Sequence, residues 1–457
     1  MKRREFLNLL AIGGFGLVAS SSWVRASDDE SEVLSALYPV PTNTGITGNI
    51  VIVGGGMAGA TLAKYLRLWG GTGVKVTLIE KAPSYTSNIM SNTVLNGQRT
   101  VGSLAYAYST LTGHYGVNLI QGTVTAIDAG ARTVTCNTGA GTTSVPYGRL
   151  VLAPGLQFDL MPGMASLDQY DTAVPHAWQA GPQTSLLRSQ LQAMPNGANV
   201  VITIPKAPYR CPPGPYERAC VIADWLKANK PSSKVIVLDA NADILVEKDN
   251  FAAAYAGLHG YKVDYRSGCT VTNVAVGSKT VTYSQGLNTD LVVTAGVLNP
   301  IPPQRAPQLL MDSGLLNASP DSNGVNRFAG VDVLSYQSTV AGKSDVHIIG
   351  DASHTPQPKA GHVANQEAKT CADAILRLLQ GQSPETNIVT NSACFTPITA
   401  KTATWLSAVY QYDPASGTMK VSTANGGGQP FAAHAATTDN YEEMLRWFDT
   451  LMADSFA

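Results

Sequence analysis

The chain has 457 residues, of which 44% are hydrophobic and 14% are charged, and its formal net charge at pH 7 is -1. This composition is typical of a globular protein with two or three domains and excludes a disordered chain. The near-neutral charge provides no basic field for nucleic acid, so we expect no nucleic-acid partner.

Residues 1–26 predict a twin-arginine export signal. Arg3 and Arg4 precede a moderately apolar stretch, and Val24-Arg25-Ala26 forms a small-residue cleavage site. The apolar run is too short, and too interrupted by glycines, for the about 20 residues of a membrane span. No later stretch is long and apolar enough to span a bilayer. We therefore expect a periplasmic protein without stable membrane insertion, in a compartment where disulfides persist.

Residues 49–80 predict a βαβ unit. An apolar run enters a glycine turn, a helical stretch follows, and a second apolar run ends in Glu80. In this GxGxxG turn, Gly54 allows a tight bend, Gly56 lets the backbone approach a pyrophosphate, and Gly59 permits close packing of helix on strand. Glu80 stands where an acid holds the ribose hydroxyls. The unit predicts a dinucleotide site; the alternative is a glycine-rich turn without a ligand.

Two later turns favour FAD over NAD. Ala153-Pro154-Gly155 ends an apolar strand at the spacing where flavoproteins with two dinucleotide domains return to the cofactor. Gly350-Asp351 follows another apolar strand, where the aspartate of such proteins meets the ribityl chain; a plain helix cap is the alternative role. The helix after Gly361 would direct the positive end of its dipole at the flavin.

Residues 199–240 predict a second βαβ unit, which ends in Asp239. Its turn, from Lys206 to Pro215, contains Gly214 as its single glycine together with four prolines. A backbone of this composition cannot approach a phosphate closely. We therefore expect no NAD(P)H site.

The altered turn contains Cys211. A helix is predicted to begin near Tyr216, and Arg210 is adjacent to the cysteine; a helix N-terminus and a cation both lower the pKa of a thiol. Glu217 lies about one helical turn further on and is a candidate base, or else a solvated helix charge. The number of cysteines does not settle which of them pair, and none forms a CxxC pair or a metal-ligand cluster.

CPPGPYERA at 211–219, with PHAWQAG at 175–181 and IPPQRA at 301–306, resembles the flavoprotein subunit of flavocytochrome c sulfide dehydrogenase. The related sulfide:quinone oxidoreductases share its overall plan. The resemblance covers nearly all of the mature chain, including the C-terminal region.

This resemblance implies a redox disulfide between Cys211 and Cys394, with Glu217 as acid/base and Trp447 close to the flavin. A sulfide anion would attack the disulfide to give a persulfide and a thiolate, and two electrons would pass to FAD. The sequence has no CxxCH motif, so any haem c would belong to a partner cytochrome c subunit. The alternatives are a structural disulfide or buried free thiols for the cysteines, and core packing for Trp447.

One position departs from the resemblance. Asn88 stands where the family usually places the cysteine that links FAD covalently, so we expect non-covalent FAD. The remaining predicted cofactor contacts are Met57, Ala58, Lys81, Val124 and Lys359. The remaining cysteines are expected to be structural: Cys136, Cys220, Cys269 and Cys371.

The predicted fold class is α/β, with two Rossmann-like dinucleotide-binding domains of the disulfide-reductase type and a small C-terminal domain. The predicted FAD-binding domain spans 46–160 and 297–387. Residues 161–296 form the second nucleotide-fold domain, and 388–457 form a domain that covers the flavin. Two other functions stay open: a quinone-linked sulfide oxidase, which needs membrane contact, and a non-catalytic flavoprotein accessory subunit of a sulfur-oxidation system.

Overall fold

A computed structural model of the chain describes residues 39–426 and 428–457. Residues 41–457 form one compact unit. The predicted export signal, residues 1–26, lies outside the described residues. Within the described ranges, none of the helices combines the length and the apolar character that crossing a membrane requires.

The strands are short, apart from two of 11 residues. They are β1 (Gly48–Val53), β2 (Val74–Glu80), β3 (Ser84–Thr86), β4 (Ala105–Ala107), β5 (Asn118–Asp128), β6 (Thr133–Thr138), β7 (Gly141–Pro146), β8 (Arg149–Leu152), β9 (Gln157–Phe158), β10 (Val200–Ile204), β11 (Val235–Asp239), β12 (Val263–Arg266), β13 (Cys269–Ala275), β14 (Thr280–Gln285), β15 (Asn288–Thr294), β16 (Val297–Pro300), β17 (Gln304–Arg305), β18 (Ala318–Pro320), β19 (Asn326–Gly330), β20 (Val346–Ile348), β21 (Ser353–His354), β22 (Val389–Pro397), β23 (Ala403–Asp413), β24 (Thr418–Val421) and β25 (Phe431–Ala432).

The helices include four of 14 to 19 residues. The α-helices are α1 (Met57–Gly70), α2 (Asn92–Leu95), α3 (Ser109–Gly113), α4 (Asp168–Thr172), α5 (Pro182–Ala193), α6 (Gly214–Asn229), α7 (Lys248–Ala253), α8 (Gln308–Asp312), α9 (Gly361–Leu379), α10 (Thr423–Gly426) and α11 (Thr438–Phe456). Short 3₁₀ turns occur at Gly102–Leu104, Gly260–Lys262 and Gly350–Ala352, and a π-helical turn at Ala254–Leu258 continues α7.

The first sheet has the strand order β20-β8-β1-β2-β5-β6-β7. Its first five strands are parallel, and β5, β6 and β7 continue as an antiparallel ribbon. Residues 50–53 of β1 are buried, as expected for a parallel strand that is covered on both faces. The turns after β1, β8 and β20 leave from the carboxyl edge of this sheet, where open α/β sheets bind their ligands.

The second sheet, of order β12-β11-β10-β16, is parallel throughout. Asp239, at the end of β11, is fully buried. Its carboxylate accepts hydrogen bonds from the hydroxyls of Tyr216 and Tyr265, both at 2.8 Å, and from the amide of Asn241 at 2.7 Å. In a nucleotide-binding βαβ unit, the acid at this position would bind a ribose. Here the carboxylate of Asp239 is already hydrogen-bonded to protein side chains.

A third, antiparallel sheet is formed by β22, β23 and β24, with β25 beside β23. Helix α11 follows it and packs on α1: the Tyr65 hydroxyl donates to Asp454 at 2.5 Å, and the Thr61 hydroxyl to Ser455 at 2.9 Å. This docking brings the C-terminal region over the carboxyl edge of the first sheet. The two parallel sheets and the separate C-terminal sheet agree with the predicted α/β class.

Gly59 tests the packing of α1 on β1. A Cβ at this position would lie 1.8 Å from the carbonyl oxygen of Gly54, so the helix would have to move away from the turn. We expect Gly59→Ala to lower the free energy of unfolding by about 2 kcal/mol or more, measured by urea denaturation.

Gly277→Ala is the matched control, because a Cβ there has no atom within 4 Å. We expect that variant to stay within about 0.5 kcal/mol of the wild type. Equal stability of the two variants would contradict the close approach of α1 to the turn.

Candidate active site

A cavity of about 450 Å³ lies at the carboxyl edge of the first sheet and extends to the C-terminal region. Most of the residues that the sequence suggested for cofactor binding and catalysis line it. They are Gly54, Gly56, Met57, Ala58, Glu80, Lys81, Asn88, Ala153, Pro154, Gly155, Cys211, Glu217, Gly350, Asp351, Gly361, Cys394 and Trp447.

Three predicted cofactor residues do not line this cavity. Gly59 is buried behind the glycine turn. Val124 lies in the part of β5 that has left the parallel sheet; it pairs with Cys136 and packs against the core, and its contact with the cofactor stays a prediction. Lys359 lies beneath the Gly350-Asp351 turn and donates to the carbonyl oxygens of Asp351 at 2.9 Å and Ser353 at 2.6 Å.

The glycine turn has the geometry of a pyrophosphate site. Gly54 has a φ of +101°, and a Cβ there would lie 2.3 Å from the carbonyl oxygen of Ala153, so only glycine fits. At Gly56, the N-cap of α1, a Cβ would meet only Tyr85 at 3.9 Å, which leaves open space before the helix N-terminus. Such a terminus offers free N–H groups and a positive dipole end to phosphates. Glu80 fixes the turn by accepting from the N–H of Gly55 at 2.6 Å.

Asp351 faces the cavity and forms an ion pair with Arg210 at 3.3 Å. It does not cap α9, whose N-cap is Ala360. Behind the turn, the buried Glu367 accepts from the N–H of Gly350 at 2.6 Å, and burial raises the pKa of Glu367 above its ordinary value. A hydrogen bond to the buried Glu367 therefore fixes the turn that carries Asp351.

Cys211 and Cys394 are free thiols that face the same cavity, and both are half-buried. Cys211 has a φ of +58°, which is a strained conformation for a residue other than glycine. Its N–H donates to the carbonyl oxygen of Lys359 at 2.7 Å. A Cβ at Gly214 would lie 2.9 Å from the Cys211 sulfur and 2.9 Å from the Trp178 ring, so Gly214 makes room for both. Cys394 enters from β22.

The expectation of an acidic thiol at Cys211 is wrong for this structure. Burial, followed by the proximity of Cys394, raises the pKa of Cys211 well above its ordinary value. Burial likewise raises the pKa of Cys394 to about 12. Arg210 only partly offsets this, since its guanidinium pairs with Asp351 and donates to the carbonyl oxygen of Trp178. Both thiols therefore hold their protons at neutral pH.

Glu217 lies in the first turn of α6 and is buried, which excludes a solvated helix charge. The amide of Asn92 donates to its carboxylate at 2.9 Å, and the Asn92 oxygen accepts from Nε of Arg218 at 2.8 Å. Burial raises the pKa of Glu217 to about 8. The carboxyl group can therefore both hold and release a proton near neutral pH.

Sequence reasoning missed the role of Arg218. It is buried and donates to the carbonyl oxygens of His176 and Ala177, both at 2.7 Å, and its guanidinium lies 4.7 Å from the centre of the Trp178 ring. These contacts tie the PHAWQAG segment to α6. The sequence signal for Arg218 was that it lies in CPPGPYERA, which carries the family resemblance together with PHAWQAG.

Phe395 and His362, two further aromatic residues that line the cavity, were also missed. Trp447 packs against Phe395 with ring centres 5.3 Å apart and against His362 at 6.0 Å. The His362 Nδ1 accepts from the N–H of Ala393, and burial lowers the pKa of His362 to about 4. Trp447 thus forms part of the wall of the cavity rather than core packing alone. The position of His362 directly after Gly361 was its sequence signal.

Three family models match the chain. The model described as pyridine nucleotide-disulphide oxidoreductase matches residues 48–193. The central part of the sulfide dehydrogenase [flavocytochrome c] flavoprotein chain matches 184–302, and the flavin-binding part of flavocytochrome c sulphide dehydrogenase matches 387–456.

Solved structures share the fold. The sulfide:quinone oxidoreductase of Aquifex aeolicus has 16% identity and a TM-score of 0.68, with coverage of 90% of this chain and 91% of that one. NDH2 of Plasmodium falciparum has 12% identity and a TM-score of 0.65, with coverage of 90% and 96%. An NAD-dependent persulfide reductase of A. fulgidus has 14% identity and a TM-score of 0.58, with coverage of 79% and 64%.

The fold and the matched domains define an FAD-dependent oxidoreductase of the pyridine nucleotide-disulphide oxidoreductase type, with an additional C-terminal domain. The predicted α/β fold class is confirmed. Because the central and flavin-binding domains both match, the resemblance to the flavoprotein chain of flavocytochrome c sulfide dehydrogenase is confirmed as well.

The raised pKa of Glu217 makes stability depend on pH. The folded protein holds this proton up to about pH 8, whereas the unfolded chain releases it at the ordinary pKa of 4.5, so stability falls as pH rises between these values. The wild type should lose unfolding free energy between about pH 5 and about pH 8. In Glu217→Gln we expect this loss to be smaller by about 1–3 kcal/mol.

Urea denaturation at the two pH values measures this difference. Glu443→Gln, at an exposed position of α11, is the control and should reproduce the wild-type fall. A wild-type fall that persists unchanged in Glu217→Gln would show that the buried carboxyl does not titrate in this range.

Proposed function

We propose that the chain is a sulfide dehydrogenase flavoprotein, which oxidises sulfide or a related reduced sulfur compound through a Cys211–Cys394 redox disulfide and FAD, and passes electrons to a cytochrome c. One observation carries this proposal. Two thiols that are far apart in the sequence line a single cavity together with a buried acid and the glycine turn.

The cavity fits FAD. Gly54 and Gly56 leave room for a pyrophosphate at the N-terminus of α1, and the start of α9 lies at the same cavity. Glu80, Asp351 and Trp447 would hold the ribose, ribityl and ring portions. When bound, FAD accepts two electrons from the substrate and releases them to the acceptor. At the position of the usual linking cysteine, Asn88 accepts from the N–H of Ala180 at 2.7 Å, which supports non-covalent binding.

The residues of the chain supply the sulfur and proton chemistry. A hydrosulfide ion attacks one sulfur of the disulfide; the S–S bond breaks, one cysteine becomes a persulfide and the other leaves as a thiolate. The surroundings disfavour a thiolate, because burial raises the pKa of both cysteines. A proton must therefore reach the leaving sulfur, and Glu217, with a pKa of about 8, can hold one at neutral pH.

The matched flavoprotein chain pairs with a cytochrome c in its family, which supports that acceptor. The sequence has no CxxCH motif, so the haem would belong to the partner. Electrons from NAD(P)H are not part of the proposal, because the second βαβ turn has one glycine and Asp239 is bonded to Tyr216 and Tyr265. A periplasmic location, reached by the twin-arginine route, completes the proposal.

Anaerobic titration with sulfide tests the function directly. We expect sulfide to bleach the flavin absorbance of the wild type, and Cys211→Ser and Cys394→Ser to slow the bleaching by about two orders of magnitude or more. Stopped-flow absorbance measures the rates.

Cys269→Ala is the control, since Cys269 is buried in a separate core cluster and should react like the wild type. Bleaching of the wild type by NADH at the rate seen with sulfide, or equal bleaching by sulfide in Cys211→Ser, would refute the proposed route.

A further inference from the structure

Glu247 is a second buried acid near the cysteine pair. It is 7% exposed, although Lys248 and Asp249 beside it are exposed. It is the N-cap of α7 and has a φ of +51°, in the left-handed region that favours glycine. The chain therefore takes a strained turn at a residue whose charged side chain is buried.

The contacts of Glu247 lead to the strand that carries Cys394. Its Oε2 accepts a hydrogen bond from the hydroxyl of Thr396 at 2.9 Å. Thr396 and Cys394 are two residues apart on β22, so their side chains lie on the same face of the strand. Thr404, which pairs with Thr396 from β23, and Asn250 of α7 also interact with this carboxylate and favour its charged form.

Charge links the two side chains. After burial, Glu247 is the strongest influence that raises the pKa of Cys394, ahead of Glu217. Burial also raises the pKa of Glu247 itself. A thiolate and a carboxylate at these positions repel one another, so the loss of a proton by one group strengthens the hold of the other on its proton.

Other titratable groups surround this pair. Glu217 faces both Cys394 and Glu247 from α6, Cys211 faces Cys394 from the loop before α6, and Tyr410 faces it from β23. Cys220 of α6 faces Glu247, and His362 of α9 is bonded to Ala393, next to Cys394. These groups stay in place in a Glu247 variant, so a change in Cys394 follows from the loss of the Glu247 charge, acting directly or through Glu217.

We infer that Glu247 is a positioning residue that controls the protonation of Cys394, as a counterpart of Glu217. This inference rests on the proposed role of the cysteine pair. When the disulfide opens and Cys394 leaves as a thiolate, a neutral Glu247 does not repel the negative sulfur, whereas an ionised Glu247 favours transfer of the proton of Glu217 to Cys394. No electron moves in this step; only the proton changes its place.

The alkylation rate of Cys394 tests the inference. In FAD-bound Cys211→Ser protein with its thiols reduced, Cys394 is the one half-buried cysteine within residues 39–426 and 428–457, and the other four cysteines there are buried. We expect the added substitution Glu247→Gln to increase the rate of reaction with iodoacetamide at about pH 8 by roughly threefold or more, since half a pKa unit changes the thiolate fraction about threefold. Peptide mass spectrometry locates the modified residue.

Asp249→Asn, in the same background, is the matched control because it removes a carboxylate from an exposed position on the same helix. Its rate should not change. An unchanged rate in Glu247→Gln, or the same increase in Asp249→Asn, would overturn the inference. If Glu247→Gln does not fold, Thr396→Val replaces it: the hydroxyl favours the charged carboxylate, so its loss should also increase the rate, and an unchanged rate would overturn the inference.

The assay uses no sulfide, so its outcome is separable from that of the flavin titration. An unchanged alkylation rate with normal bleaching by sulfide removes only the role of Glu247. A faster alkylation rate in a protein that sulfide does not bleach removes the proposed function and leaves the coupling of Glu247 to Cys394 intact.

Discussion

Cys394 reaches the cavity because β22 packs against both α6 and α9. Helix α6 carries Glu217 and follows the loop of Cys211, and α9 begins at the flavin side of the cavity. Helix α11 fixes the C-terminal region on the first sheet through Asp454, which bonds to Tyr65 and pairs with Lys369. The two sulfurs can meet only while this packing holds, so the proposed chemistry depends on long-range contacts rather than on either cysteine motif alone.

The site keeps its thiols and its buried carboxyl group protonated at neutral pH and does not stabilise thiolates. Its two arginines are occupied, Arg210 by Asp351 and Arg218 by backbone carbonyl oxygens and Asn92. Buried carboxyl groups with raised pKa values stand near the cysteines instead. Such groups suit a reaction in which a disulfide is attacked by an external anion and the leaving sulfur then needs a proton.

The features that depend on local sequence patterns could be predicted from the sequence. The features that depend on contacts between distant segments could not. The glycine turn at Gly54 and the α/β class follow from spacing and periodicity. The acidity of Cys211 could not be predicted, because it depends on burial, on the proximity of Cys394 and on the pairing of Arg210 with Asp351, 141 residues away in the sequence. The sequence also does not mark where β5 leaves the parallel sheet, so it could not predict that Val124 lies beyond that point. Glu247 has no motif, and only its contact with Thr396 reveals it.

Peptide mapping without reduction tests the central claim most directly, since it asks whether the two sulfurs bond. In the oxidised, FAD-bound protein we expect the peptide containing Cys211 to be joined to the peptide containing Cys394. One equivalent of sulfide should separate them and add one sulfur atom to one of the two. Recovery of both cysteines as unlinked thiols in the oxidised protein would contradict the account.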